Sequence, residues 1–370
     1  MPKLKDKLSI LGLGCMRLPM TSDHKIDEEQ SFKMMKTAID KGVNYFDTAW
    51  PYHQGESEPL VGRFLSQGYR DKIKLATKLP SWLIKTREDM DEYLNKQLKR
   101  LQTDHIDYYL IHALNKGSWQ NLVKLGLFDF IEKAKLDGRI INIGFSFHDK
   151  YPIFKKIVDA YDWDFCQIQL NFFDTTYQAG LKGMRIAAAK GIGIIVMEPL
   201  RGGKLAGHIP AEVEEVWSKS KFERTPVDRA LRWVWNMPEV QVVLSGMSDM
   251  SQLEENIAIA DTCQAEELST RELNLYKLAR KVYIAKMPVG CTSCGYCMPC
   301  PHGVNIPGSF GMYNGAHMFG NKERHKWEYN FFLREESRAD RCVSCGACMP
   351  KCPQKVEIIK SLKDVAEYFK

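Results

Sequence analysis

No uninterrupted apolar stretch in this 370-residue chain approaches the roughly 20 residues needed to cross a bilayer, so a transmembrane helix is not expected. The opening Met1-Pro2-Lys3-Leu4-Lys5-Asp6-Lys7 lacks the apolar core of a signal peptide, which points to a cytoplasmic location. A basic tract is also missing. Lys and Arg number 52 against 46 Asp and Glu, with both signs spread along the chain, so neither nucleic acid nor a membrane surface is an expected partner. Gly12-x-Gly14 is followed by Cys15-Met16-Arg17, not by a third glycine or a helix, which is a weak sign of an open dinucleotide-binding sheet. Cysteine is scarce before residue 290: Cys15, Cys166 and Cys263 stand alone and read as packing thiols. What is present, 44% hydrophobic and 26% charged residues, excludes a disordered or collagen-like chain. The length suits one large domain and a small one.

From Ser9 to Gly246, β-branched runs alternate with amphipathic helical stretches. Strands are expected at Ile10–Leu18, Val43–Asp47, Ile73–Lys78, Ile106–His112, Ile140–Ser146, Phe165–Asn171, Ile192–Glu198 and Val240–Gly246. Helices start at the Thr86-x-x-Asp89 capping box, at Thr225-Pro226 and at Ser251-x-x-Glu254. Regular strand–helix alternation implies parallel strands with right-handed crossovers. About eight units in roughly 250 residues match a TIM barrel, the fold class expected for residues 1–275. A helical stretch at Glu266–Ala285 then leads into a cysteine-rich tail, expected to form a small, mainly helical domain over 276–370.

Barrel chemistry sits at the C-terminal ends of the strands. Asp47, Lys78 and His112 each close a strand run, and Tyr52 follows Asp47 by five residues. Singly, each has an ordinary structural reading. Together they have a chemistry: a tyrosine hydroxyl, pKa about 10, is a poor acid or base until a neighbouring ammonium lowers it. A carboxylate can hold that ammonium, and a histidine can polarise a carbonyl. The set suits carbonyl reduction.

The motifs Phe46-Asp47-Thr48-Ala49 with Tyr52, Gly55-x-Ser57-Glu58, Ala76-Thr77-Lys78 and Asp107-Tyr108-Tyr109-Leu110-Ile111-His112 resemble the aldo-keto reductases, over roughly residues 8 to 260. The resemblance implies a catalytic tetrad of Asp47, Tyr52, Lys78 and His112, with Tyr52 as general acid/base. It also implies a nicotinamide cofactor extended across the barrel mouth. Ser146 and Gln167 then stand at the carboxamide, with Phe147 where the family often has Asn. Glu198-Pro199-Leu200-Arg201-Gly202-Gly203-Lys204-Leu205 resembles the pyrophosphate loop, through Leu200 and Gly202, with Arg201 or Lys204 adding charge. Gly246, Ser248, Gln252 and Asn256 resemble the adenosine end. Ser248, Asp249 and Gln252 replace the basic side chains that usually grip a 2′-phosphate, so NAD(H) is preferred over NADP(H). Trp50, Trp82 and Trp119 follow strand ends and read either as substrate-pocket walls or as packing.

The tail carries Cys342-x-x-Cys345-x-x-Cys348-x-x-x-Cys352-Pro353, the bacterial ferredoxin spacing for a [4Fe–4S] cluster. Cys291-x-x-Cys294-x-x-Cys297-x-x-Cys300-Pro301 announces a second cluster, with two residues rather than three before its last cysteine. Paired knuckles can also bind zinc, but zinc explains neither the triplet spacing nor the two Cys-Pro endings. The tail resembles a two-cluster ferredoxin domain. The crossed ligation it implies is Cys291, Cys294, Cys297 and Cys352 for one cluster, and Cys342, Cys345, Cys348 and Cys300 for the other.

The expected function is an iron–sulfur oxidoreductase acting on a small carbonyl or alcohol. Hydride carries two electrons and a cubane normally one, so direct exchange needs a converter, usually a flavin, for which no motif stands out. Alternatives stay open. A reductase driven by a ferredoxin-type partner without nicotinamide is one, and a non-enzymatic redox sensor or electron carrier is another.

Overall fold

The computed structural model describes residues 6–370; Met1–Lys5, most of the segment read above for a signal peptide, lie outside the described residues. Eight strands close a parallel barrel in sequence order: β1 Leu11–Gly14, β2 Tyr45–Asp47, β3 Lys74–Leu79, β4 Ile106–Leu114, β5 Ile140–Phe147, β6 Phe165–Gln169, β7 Gly193–Met197 and β8 Val240–Ser245. Each falls on an expected run: β1, β2, β6, β7 and β8 lie inside theirs, whereas β3, β4 and β5 continue past theirs to Leu79, Leu114 and Phe147.

Strand alternation sorts the side chains into two layers. Tyr45, Ala76, Tyr108, Leu110, Phe165, Ile195, Val242 and Leu244 fill the barrel interior. The alternate residues, such as Phe46, Leu75, Tyr109 and Ile143, face the surrounding helices. Large rings on neighbouring strands demand small residues opposite. A Cβ at Gly144 would lie 2.6 Å from the Phe165 carbonyl oxygen, and one at Gly12 would lie 2.8 Å from the Leu244 side chain.

The capping box at Thr86 and Asp89 opens the helix Arg87–Leu101 as expected, and Pro226 begins Pro226–Trp235. Two boundaries differ. Asp249, not Ser251, caps Met250–Thr262 by accepting the Gln252 N–H, because an aspartate that binds its own N3 amide fixes the first turn earlier. The helix expected from Glu266 starts at Thr270. No helix among the described residues is long and apolar enough to cross a membrane.

By compactness the chain forms two units. One runs to Gly202 and resumes at Val227–Ser269; the other joins Gly203–Pro226 to Thr270–Lys370. Compactness thus groups Gly203–Pro226, which the expected boundary near residue 275 leaves with the barrel, with the C-terminal residues. The second unit is helical, as expected for the tail: Ala211–Trp217, Thr270–Ala285, Ile306–Phe319, Lys322–Phe332 and Ile358–Tyr368. Its core includes Val304, Ile306, Phe310, Tyr329, Leu362 and Val365.

Candidate active site

The inward rows of the barrel end in polar groups. Asp47 follows Tyr45 on β2, Lys78 follows Ala76 on β3, His112 follows Leu110 on β4, and Gln167 follows Phe165 on β6. The strand period of two therefore delivers all four to the C-terminal mouth. Tyr52 comes from the loop after β2, in a short turn where His53 and Gln54 are left-handed at φ 50° and 58°. The His53 ring pins that turn, its Nε2 accepting from the Leu18 N–H at 3.1 Å.

Lys78 is fully buried, and its ammonium uses all three donors. Nζ donates to Asp47 Oδ1 at 2.5 Å, to the Thr48 carbonyl at 2.8 Å and to the Tyr52 hydroxyl at 3.2 Å. Burial alone would lower the Lys78 pKa, but Asp47 and then Tyr52 outweigh it, and the net shift is upward. Asp47 is held from its other side, Oδ2 accepting from Gln167 Nε2 at 3.0 Å.

Tyr52 departs from expectation. Burial pushes its pKa up; Lys78 draws it back and Asp47 pushes it up again, and the net position is above the ordinary 10.0. The ammonium tempers the shift without reversing it, so at neutral pH the hydroxyl keeps its proton. His112 is displaced the other way, well below 6.5, by burial first and then by Lys78 and His148. Its imidazole is therefore neutral. Its Nδ1 is buried without a hydrogen-bond partner among the described residues. The ring lies edge-on to Tyr52, centroids 6.1 Å apart, and 5.1 Å from half-exposed Trp82. Trp119 instead packs on Phe128 and Trp163, and Trp50 lies under the Arg100 guanidinium.

A bulge places His112. Ile111 pairs with Phe145 and Leu114 with Phe147, so His112 and Ala113 oppose Ser146 alone. Ala113 is left-handed at φ 51°, a strained conformation for a residue with a side chain. Its N–H donates to Ser146 Oγ at 2.7 Å, which leaves the serine's own O–H to aim elsewhere.

Residues expected at the nicotinamide fit its head group. Ser146 retains a donor, and Gln167, whose Nε2 is committed to Asp47, presents the amide oxygen as acceptor; a carboxamide offers the complement of both. The cations expected in the loop after β7 are engaged otherwise. Arg201 Nε donates to Asp174 at 2.9 Å, and within the second unit Lys204 Nζ donates to Glu328 at 2.7 Å. The loop itself is left-handed at Glu198, Arg201, Gly202 and Gly203. At the adenosine end Ser248 N–H donates to Gln252 Oε1 at 3.0 Å, and Asn256 Nδ2 to Ser245 Oγ at 2.9 Å. The Asp249 carboxylate occupies the helix start. Sequence reasoning missed Arg17. It pairs with no carboxylate among the described residues, donates from Nη1 to the Gly202 carbonyl at 3.1 Å, and lies so close to Gly246 that a Cβ there would be 3.3 Å from its Cδ. Its place after the first strand was the available signal.

The eight tail cysteines surround two cavities in the second unit. Cys291, Cys294, Cys297 and Cys352, with Ile306, Pro307, Phe310 and Ile358, line one. Cys300, Cys342, Cys345 and Cys348, with Ile306, Ile359 and Leu362, line the other. These are the crossed sets. Both motifs also share Cys-x-Ser-Cys-Gly-x-Cys-Met-Pro, a repeat overlooked above, and one backbone shape. Ser293 and Gly295 have φ 53° and 83°, Ser344 and Gly346 58° and 79°. In the first loop the Ser293 N–H donates to Cys291 Sγ at 3.4 Å, the kind of hydrogen bond that steadies a thiolate ligand. Four soft thiols around an apolar cavity fit a cubane at each site.

The chain matches the Aldo/keto reductase family over residues 10–274 and the 4Fe-4S dicluster domain over residues 290–357. It is 27% identical over 329 residues to probable aldo-keto reductase 1 of Glycine max, covering 77% of this chain and 87% of that one. L-galactose dehydrogenase of Arabidopsis thaliana is 27% identical over 272 residues, covering 68% and 84% respectively. Uncharacterized oxidoreductase YrpG of Bacillus subtilis (strain 168) is 27% identical over 224 residues, 54% of this chain and 65% of its own length. Among solved structures, aldo-keto reductase AKR11C1 from Bacillus halodurans (holo form) superposes with a TM-score of 0.63 at 23% identity, covering 74% of this chain and 92% of that one; the likeness speaks for the fold. Barrel and tail together define an iron–sulfur oxidoreductase. The chain belongs to the aldo/keto reductase family.

Proposed function

We propose that this chain interconverts a small carbonyl compound and its alcohol at Tyr52, Lys78, Asp47 and His112, and that its eight tail cysteines hold two [4Fe–4S] clusters. The observation that carries the reading is the Lys78 ammonium shared between Asp47 and the Tyr52 hydroxyl in a water-poor site. In the reducing direction Tyr52 gives its hydroxyl proton to the carbonyl oxygen. Lys78, held charged by Asp47, stabilises the phenolate left behind. Neutral His112 donates a hydrogen bond that fixes the carbonyl oxygen between itself and Tyr52. Ser146 and Gln167 would hold a nicotinamide head, and Arg17 would meet its pyrophosphate. Bound nicotinamide supplies hydride, and bound clusters supply single electrons to or from a ferredoxin-type partner.

A second reading drops the nicotinamide and takes electrons from a reduced ferredoxin-type donor. It is favoured by the carboxylates already paired with Arg201 and Lys204, and by Asp249 at the adenosine end. Anaerobic titration of the holoprotein with NADH, following iron–sulfur absorption, separates the two. Bleaching supports the first reading and requires a two-electron to one-electron converter, such as a bound flavin, between NADH and the clusters. No bleaching, with dithionite still effective, supports the second or a structural role for the clusters. In either, Tyr52→Phe abolishes carbonyl turnover while leaving dithionite reduction of the clusters intact. Retained turnover would overturn the tetrad assignment.

A further inference from the structure

Behind Lys78, on the helix-facing side of β3, lies a polar cluster that the proposed chemistry does not touch. Glu58, on the helix Ser57–Leu65, has no solvent exposure. A buried carboxylate is costly unless several donors meet it. Here Oε1 accepts from Thr77 Oγ1 at 2.7 Å and from Gln97 Nε2 at 2.6 Å, and Oε2 from Arg100 Nη1 at 3.3 Å. Gln97 is equally buried. Its Nε2 also lies 3.0 Å from the Lys78 carbonyl oxygen, and its Oε1 accepts the Tyr109 hydroxyl at 2.8 Å.

We infer that Glu58 and Gln97 are positioning residues: they clamp the Thr77–Lys78 segment from behind, so that the Lys78 ammonium stays within reach of both Asp47 and Tyr52. This inference rests on the reading of Tyr52 and Lys78 proposed above. Alternation along β3 puts Thr77 and Lys78 on opposite faces. The clamp therefore grips the side chain of one and the carbonyl of the other, which fixes the direction in which the lysine enters the mouth. Its formation needs two helices in unusually close approach. Gly62 permits this, since a Cβ there would lie 2.2 Å from the Arg100 carbonyl oxygen on the helix Arg87–Leu101. Arg100 closes the cluster on its outer side, its guanidinium carbon 3.5 Å from the centre of the Trp50 ring. An apolar cluster of the same volume would hold two helices together at least as well. What it would lack is a directional grip on the Lys78 peptide.

The test uses the full-length holoprotein with 3-fluorotyrosine at position 52, whose fluorine resonance reports the ring's surroundings and ionisation. The charged and nucleophilic groups acting on that ring are Lys78, Asp47 and Cys15. Gln97→Met is expected to lower kcat about tenfold with KM nearly unchanged, and to move the fluorotyrosine ionisation to higher pH, as a displaced ammonium requires. In a Lys78→Met background the same substitution should cost almost nothing more, because two members of one chain of contacts are not additive. Glu58→Gln, which keeps the shape, serves as the milder variant should Gln97→Met fold poorly. An unmoved fluorine titration in a folded variant, or full additivity with Lys78→Met, would overturn the clamp. Turnover retained in Tyr52→Phe would instead overturn the underlying tetrad, and the fluorine titration would still report on the clamp.

Discussion

Lys78 is a fully buried cation, tolerated because a carboxylate, a carbonyl and a hydroxyl each accept a hydrogen bond from its ammonium. His112 solves the opposite problem by staying neutral. Its folded pKa is depressed below 6.5, so above about pH 6.5 neither folded nor unfolded chain carries the proton and stability is full. As pH falls below that value the unfolded chain takes up a proton that the buried site refuses, and stability declines. His112→Asn should flatten this slope in denaturant titrations between pH 7 and pH 5. Ser146 offers a second check. Ser146→Ala leaves the Ala113 N–H without its acceptor and should cost about 1 kcal/mol in unfolding experiments. Ala113→Gly, which suits a left-handed residue, should recover much of that loss. Asp47, Lys78 and His112 were legible because a strand's last inward position is dictated locally, by a period of two. Gln97 was not, since its chemistry depends on Glu58, 39 residues earlier in the chain. Arg17 meets the Gly202 carbonyl across 185 residues; its place after the first strand was legible, that partner was not.

The bulge in β4, the helix starting at Met250 and the two cysteine loops show how short elements aim chemistry. Asp249 fills the start of Met250–Thr262 with a carboxylate, and its own pKa is lowered, first by the Ser251 hydroxyl and then by the Gln252 amide. A 2′-phosphate brought there would face like charge. Asp249→Arg should therefore raise kcat/KM for NADPH about tenfold relative to NADH, one charge-assisted contact's worth, in paired steady-state assays. All eight strands fell on their expected runs because β-branched alternation is strong, though β3, β4 and β5 continue one or two residues further. The cap did not, because Asp249 and Ser251 are both good capping residues and only the first turn's geometry chooses between them. The grouping of the cysteines around two cavities was legible from spacing. The loops' shared backbone shape was not, since nothing in Cys-x-Ser-Cys foretells a left-handed serine.

The second unit is assembled from two stretches of chain, and the shorter one, Gly203–Pro226, is embedded between β7 and β8. Its helix Ala211–Trp217 buries Val213 and Val216 and sets Trp217 edge-on to Tyr276, ring centres 5.0 Å apart. Both cysteine cavities share Ile306 with the same unit's core; the first also shares Phe310 and the second Leu362. Removing the clusters should loosen that core. Limited proteolysis of the stripped protein is expected to cut within 203–226 as well as within the cysteine loops, with the barrel strands spared. Persistent protection of 203–226 would show that the segment holds without the clusters.

Because the chain passes from one unit to the other at residues 202/203, 226/227 and 269/270, the tail is not a cassette appended to a finished barrel. A chimera joined at residue 270 would carry Ala211–Trp217 but lose Tyr276, the ring it rests on. Exchange of the cysteine-rich unit between relatives then demands matched changes at two places in the gene, so the two halves are expected to be inherited together.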